Sequence, residues 1–198
     1  MNDAALSILV IDENAIRAQI IEEGLRAAGH ERVTVVHEIQ GVARIVERIA
    51  PDVIVIDLEN PNRDMLESMF LLSRSVRRPI AMFVDRSDRA SIEAAVEAGV
   101  SAYVVDGLRQ ERVKPIVDMA ISRFNAFSRM TQELEAARTA LENRKLVDRA
   151  KAILMKSRGL SEDDAYRLLR TTAMKQNRKI SDIAQSLIMA AGLLEGEP

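Results

Sequence analysis

The chain has no cysteine and no tryptophan among its 198 residues, and each absence closes off a class of chemistry. Without thiols there are no disulfides, no thiolate metal sites and no cysteine nucleophile, a composition that suits a reducing compartment. Aromatic side chains amount to 3%, too few for a stacking platform along single-stranded nucleic acid. Two histidines, His30 and His37, leave little for imidazole metal centres or acid–base catalysis. No uninterrupted apolar stretch approaches the length of a membrane span, and the N-terminus lacks a basic segment followed by an apolar block. A cytoplasmic protein without membrane contact is expected. What the chain does hold is a globular mixture, 47% hydrophobic and 29% charged, in a length that suffices for an ordinary domain plus a smaller one.

The formal charge of −2 hides an asymmetry. Residues 143–186 carry eleven Lys/Arg against five Asp/Glu, whereas residues 1–142 carry seventeen against twenty-three, and Glu195 and Glu197 extend the acidic side at the tail. A basic C-terminal third on an acidic body fits a polyanion-binding module, most often one for nucleic acid, and equally fits a solvated helical surface.

Residues 7–120 alternate between short apolar runs and amphipathic stretches. The runs "SILVID" (7–12), "RVTVVH" (32–37), "DVIVID" (52–57), "PIAMFV" (79–84) and "SAYVVD" (101–106) are too short for helices and rich in Val and Ile, as parallel strands buried on both faces should be. Between them, 14–28, 39–50, 62–76 and 88–98 carry apolar residues at helical spacing, with Ile16, Ile20, Ile21 and Leu25 forming one stripe. Gly29 and Gly99 stand where helices should stop, and Pro51 and Pro79 mark strand entries. Five strands alternating with helices predict an α/β fold, a five-stranded parallel doubly wound sheet, with its functional crevice at the C-terminal strand ends.

From about 113 the alternation stops. Residues 112–147 contain no Gly, and their single Pro is Pro115. Phe127, Met130, Leu134, Ala137 and Leu141 follow a three–four spacing, which predicts a long helix with either a coiled-coil dimerisation seam or an intramolecular apolar face. Three helices follow: about 143–157, then one capped by Ser161 with Asp164 as capping-box acid and running to about Gln176, then Ser181 to near Gly192. Leu154, Leu160, Leu168, Leu169, Ile183, Ala184, Leu187 and Ile188 supply a small shared core. The expected domains are therefore 1–120, a linker helix over 121–142, and 143–198.

Strand one ends in Asp12-Glu13 and strand three in Asp57, and the topology makes these ends neighbours. No basic residue adjoins the three acids in sequence. Such a cluster is costly unless a divalent cation binds, and an all-oxygen set suits Mg²⁺. Nothing outside the acid cluster resembles a catalytic constellation, so an enzyme is not expected.

"VIDEN" and "VIDLENP" on five alternating strands resemble a response-regulator receiver domain over about residues 7–120. That resemblance implies that the sheet is flavodoxin-like, that Asp57 is the phospho-acceptor and that Asp12, Glu13 and Asp57 hold the metal. Two partners of the pattern are missing: Val84 and Asp85 stand where receivers carry Thr or Ser, although Ser87 follows, and Asp106-Gly107 stands where they carry Lys. A pseudo-receiver with a vestigial phospho-acceptor is implied. Residues 144–188, "RKLVDRAKAILMKSRGLSEDDAYRLLRTTAMKQNRKISDIAQSLI", resemble the ANTAR domain of transcription antiterminators. Together with "RPIAMFVDRSD" and "GVSAYVVDGL" they are similar to NasT-type nitrate/nitrite regulators, with the amidase regulator AmiR more distant. The resemblance implies binding of paired hairpins in leader RNA and release by a nitrate-sensing protein partner.

The residues support an RNA surface on their own terms. Arg149, Lys151, Lys156, Arg167, Arg170, Lys175, Arg178 and Lys179 crowd a short helical module, as phosphate contacts require. Tyr166, the module's only aromatic, fits a core position (with Leu169 and Ala173) or a base-stacking one. Ala150, Ala165 and Ala173 fit close helix approach or close RNA approach. A homodimer through the 120–145 helix would offer two modules to two hairpins. Two other functions compete with antitermination: a response regulator phosphorylated by a histidine kinase that then binds RNA or DNA, and an adaptor whose basic helices dock an acidic protein.

Overall fold

The computed structural model describes residues 6–39, 41–59 and 61–195; Glu197 and the side chain of Glu195, counted in the acidic tail, lie outside the described residues. The chain divides into two compact units, 1–128 and 129–198. In the first unit the strands β1 (Ser7–Ile11), β2 (Arg32–Val36), β3 (Val53–Leu58), β4 (Ile80–Val84) and β5 (Ala102–Val105) form one parallel sheet in the order β2-β1-β3-β4-β5. Helices α1 (Ala15–Ala27), α2 (Val42–Ile49), α3 (Arg63–Ser75) and α4 (Arg89–Glu97) connect them.

Side-chain alternation along each strand builds two cores. Leu9, Ile11, Ile54, Ile56, Ile80 and Met82 pack with Val46, Met69, Phe70 and Ala95 from α2, α3 and α4. Ile8, Val10, Val55, Ala81 and Phe83 pack on the other face with Ile21 and Leu25 of α1 and Val113 and Val117 of α5 (Gln110–Arg158). All of β3 is buried, Asp57 included. β2 and β5 differ from the expectation of burial on both faces: as the edge strands they are only partly covered.

The apolar stripe read on α1 is rotated. Ile16 is 75% exposed, and the inward face is Ala18, Ile21, Gly24 and Leu25. That rotation brings Arg17, one turn before Ile21, to the inner side of the helix.

The long helix and the helix expected after it are one element, the 49-residue α5. No Gly or Pro lies between 116 and 158 to break it, and Pro115 sits in its second turn, where it removes one ladder bond. Phe127, Met130, Leu134 and Leu141 of the seam are 53–69% exposed.

In the second unit, α6 (Glu162–Gln176) and α7 (Ile180–Glu195) pack with the end of α5. Ser161 caps α6, accepting from the Asp164 amide at 3.2 Å while its hydroxyl donates to the Asp164 carboxylate at 2.7 Å. The core is Ala150, Leu154, Ala165, Leu169, Ala173, Ile183 and Ala184. Its three expected alanines are thus helix–helix contacts and not ligand contacts. Leu168, assigned to this core from the sequence, is instead exposed. Ala165 is fully buried, so Ala165→Leu should overpack the contact and cost about 1–3 kcal/mol. The expected outcome is a lower urea midpoint for the C-terminal helices, followed by circular dichroism.

Candidate functional site

Asp57 lies one residue from the end of β3 and is 1% exposed. Both of its oxygens are held by Arg17: Nε donates to Oδ2 at 2.5 Å and Nη2 to Oδ1 at 2.9 Å. The same Nη2 pairs with Asp85 Oδ1 at 2.8 Å, just beyond β4. The acids are therefore not left without a cation. A residue five positions after Asp12 folds back from the first turn of α1 and forms a bidentate, charge-assisted pair.

That first turn is pinned locally. The Asn14 side chain caps α1 by accepting from the Ile16 and Arg17 amides, the Asn14 backbone N–H donates to Asp12 Oδ1 at 2.8 Å, and the side-chain Nδ2 donates to Glu59 at 3.1 Å. His37 Nδ1 meets the Asp12 backbone carbonyl at 2.8 Å. Asp12 is buried, and its Oδ2 has no hydrogen-bond partner. Burial, and secondarily the charge of Asp57, push its carboxyl up to about 7 against the pull of the Asn14 amide.

Asp12, Glu13 and Asp57 do line one cavity of about 570 Å³, together with Asn14, Glu59 and Met65. As folded, this set does not fit a divalent ion. Among the described residues no group of three or more His, Cys, Asp or Glu is disposed to hold a metal, Glu13 is exposed, and the Asp57 carboxylate is already taken by Arg17. Val84 is buried and carries no hydroxyl, while the Ser87 hydroxyl is committed to Tyr103 OH at 2.9 Å. Asp106 is exposed at a left-handed φ of 48°. Its neighbour Gly107 permits a turn so tight that a Cβ there would stand 2.3 Å from Val104 Cγ1.

On the helical module, Arg149, Lys156, Arg167, Arg170, Lys175, Arg178 and Lys179 are exposed. Lys151 is not: its ammonium bridges Asp148 on α5 and Glu162 on α6, both at 2.7 Å, and so fastens the corner between those helices. Arg178 reaches Ser186 at 3.2 Å and the Asp182 carbonyl at 3.4 Å on α7. Tyr166 is 45% exposed, which sets aside its core reading, and Tyr166, Arg170 and Met174 form one exposed row at four-residue spacing on α6.

The profile of the response regulator receiver domain matches residues 8–118, more than half of the chain, and that of the ANTAR domain matches residues 135–188. This chain is an ANTAR response regulator. The transcriptional regulatory protein PdtaR of Mycobacterium tuberculosis is 28% identical over 96% of this chain and 94% of its own length. The nitrate regulatory protein of Klebsiella oxytoca is 29% identical over 43% of this chain, which is 22% of that relative. A CheY-like receiver domain protein from Methanospirillum hungatei shares the receiver fold, with a TM-score of 0.53 at 14% identity over 62% of this chain and 98% of that one. Among the described residues of this response regulator, no helix is long and apolar enough to cross a membrane.

The receiver pocket carries a pH signature. Folded Asp12 keeps its proton up to about 7, whereas an unfolded chain releases it near the ordinary value of 3.8. The folded state therefore binds the extra proton in that window, and stability falls as pH rises through it. Asp12→Asn should raise the melting temperature by about 3 °C or more at pH 8, with the gain shrinking at pH 5, as scanning calorimetry would record.

Proposed function

We propose that this response regulator is an RNA-binding antiterminator, whose ANTAR module grips paired hairpins in a leader transcript and keeps a terminator from forming. The observation that carries the reading is the set of exposed cations, with one exposed aromatic, on a module that matches the ANTAR domain. Cations at Arg167, Arg170, Lys175 and Lys179 suit phosphates, and the half-exposed ring of Tyr166 suits stacking on an unpaired loop base. The exposed seam of α5 suits self-association, which would hold two modules for two hairpins and add avidity without new contacts. The nitrate regulatory protein among the relatives supports a role at nitrate/nitrite assimilation genes, and the resemblance to NasT-type regulators supports a sensor protein as the controlling partner.

A gel shift with a leader carrying paired hairpins tests this directly. Preference for the hairpins over scrambled RNA is expected, and equal affinity would favour the adaptor reading. Arg170→Ala and Lys175→Ala should weaken binding to all RNAs and lower the slope of log affinity against log salt by about 1 each.

In this reading the receiver is a scaffold governed by a protein partner and not by phosphate on Asp57. Arg17 occupies both oxygens of the nucleophile, and the hydroxyl and lysine of the usual receiver pattern are replaced by Val84 and Asp106. Asp57→Asn is expected to leave hairpin affinity within about twofold of wild type, a small change on the affinity scale. The open cavity beside Asp57 favours a second reading, a kinase-driven switch. Label from acetyl phosphate that depends on Asp57 and tightens RNA binding would establish it instead.

A further inference from the structure

The receiver pocket holds more acid than one internal cation neutralises, yet it is arranged around that cation. Arg17 meets Asp57 with two donors and Asp85 with one of the same nitrogens, while the Asn14 cap fixes the helical turn from which it reaches. Arg17 is mostly buried, its side chain 19% exposed. On the cavity side of the same acids, Asp12 is buried with Oδ2 unpartnered, and Asp12, Glu13 and Asp57 border the 570 Å³ opening. The pocket thus has its cation built in: Arg17 of α1 holds the carboxylate that a metal ion from solvent would need.

We propose that Arg17 is the resident cation of the receiver pocket and, by holding Asp57, is what keeps a divalent metal ion from that carboxylate. The guanidinium nitrogen lies 2.9 Å from Asp57 Oδ1, and a metal ion on that carboxylate would place a second positive charge against it with little water between. Guanidinium and metal ion are therefore coupled antagonistically, and the coupling is reciprocal: what loosens Arg17 tightens metal binding by the same factor. Asp85 acts here as a positioning residue. It adds nothing to the cavity lining and works by giving Arg17 a second anchor. The proposal does not rest on RNA recognition, since it concerns the receiver alone and stands or falls whether or not hairpins bind.

Mn²⁺ titration of the full chain, followed by electron paramagnetic resonance of the free ion, is the test. Arg17→Gln keeps a polar side chain of similar reach without the charge and should bind Mn²⁺ at least about tenfold more tightly than wild type. Asp85→Asn, which leaves every cavity acid in place, should fall between the two. Adding Asp57→Asn to Arg17→Gln should abolish the gain. Equal Mn²⁺ affinity in wild type and Arg17→Gln would overturn the proposal, as would a gain that survives the loss of Asp57. Should Arg17→Gln fail to fold by circular dichroism, Asp85→Asn decides alone, and an unchanged affinity there overturns the competition.

Discussion

The receiver unit depends on one constraint: a carboxylate at the end of a fully buried strand must be compensated. Asp57 lies among Val, Ile and Leu on β3, where an unpaired charge would be strongly destabilising. Arg17 meets it with a planar two-point contact, and the local structure follows from that requirement. Asn14 caps α1 so that its first turn begins beside Asp12, Arg17 is presented inward, and Asp85 pairs with the same Nη2 that serves Asp57. Two strand ends and one helix start are thereby tied through a single guanidinium.

This arrangement changes what the acidic pocket can do. In a receiver an acid cluster attracts a metal ion and, through it, a phosphoryl group. Here the strongest local cation belongs to the chain. A carboxylate whose oxygens both accept from arginine is a poor nucleophile, because its lone pairs are stabilised in place. The substitutions at Val84 and Asp106 point the same way from two other strand ends.

Much of this was legible beforehand, for identifiable reasons. The central strands announce themselves because β1, β3 and β4 are buried on both faces and are almost entirely apolar, Asp57 being the charged exception. The Ser161 cap and its Asp164 partner are readable because capping chemistry is local. Arg17 was not legible. The isoleucines at 16, 20 and 21 suggest an apolar face that includes Ile16, and only the geometry of the Asn14 cap and the demand of Asp57 turn the helix the other way. Nor could composition tell an exposed lysine from a structural one: Lys151 is set apart by its bridge to both Asp148 and Glu162. Tyr166 sits at core spacing with Leu169 and Ala173, but a helix buries one stripe, and here alanines and leucines fill it first.

The alanine-rich core of the C-terminal unit carries a consequence of its own. Alanines let α5, α6 and α7 approach closely, but each buries little apolar area, so the module has a narrow margin between folded and unfolded states. Whatever engages several of its helices at once shifts that balance by mass action. For such a module, a ligand that bound only the folded form would set structural integrity and occupancy in one equilibrium.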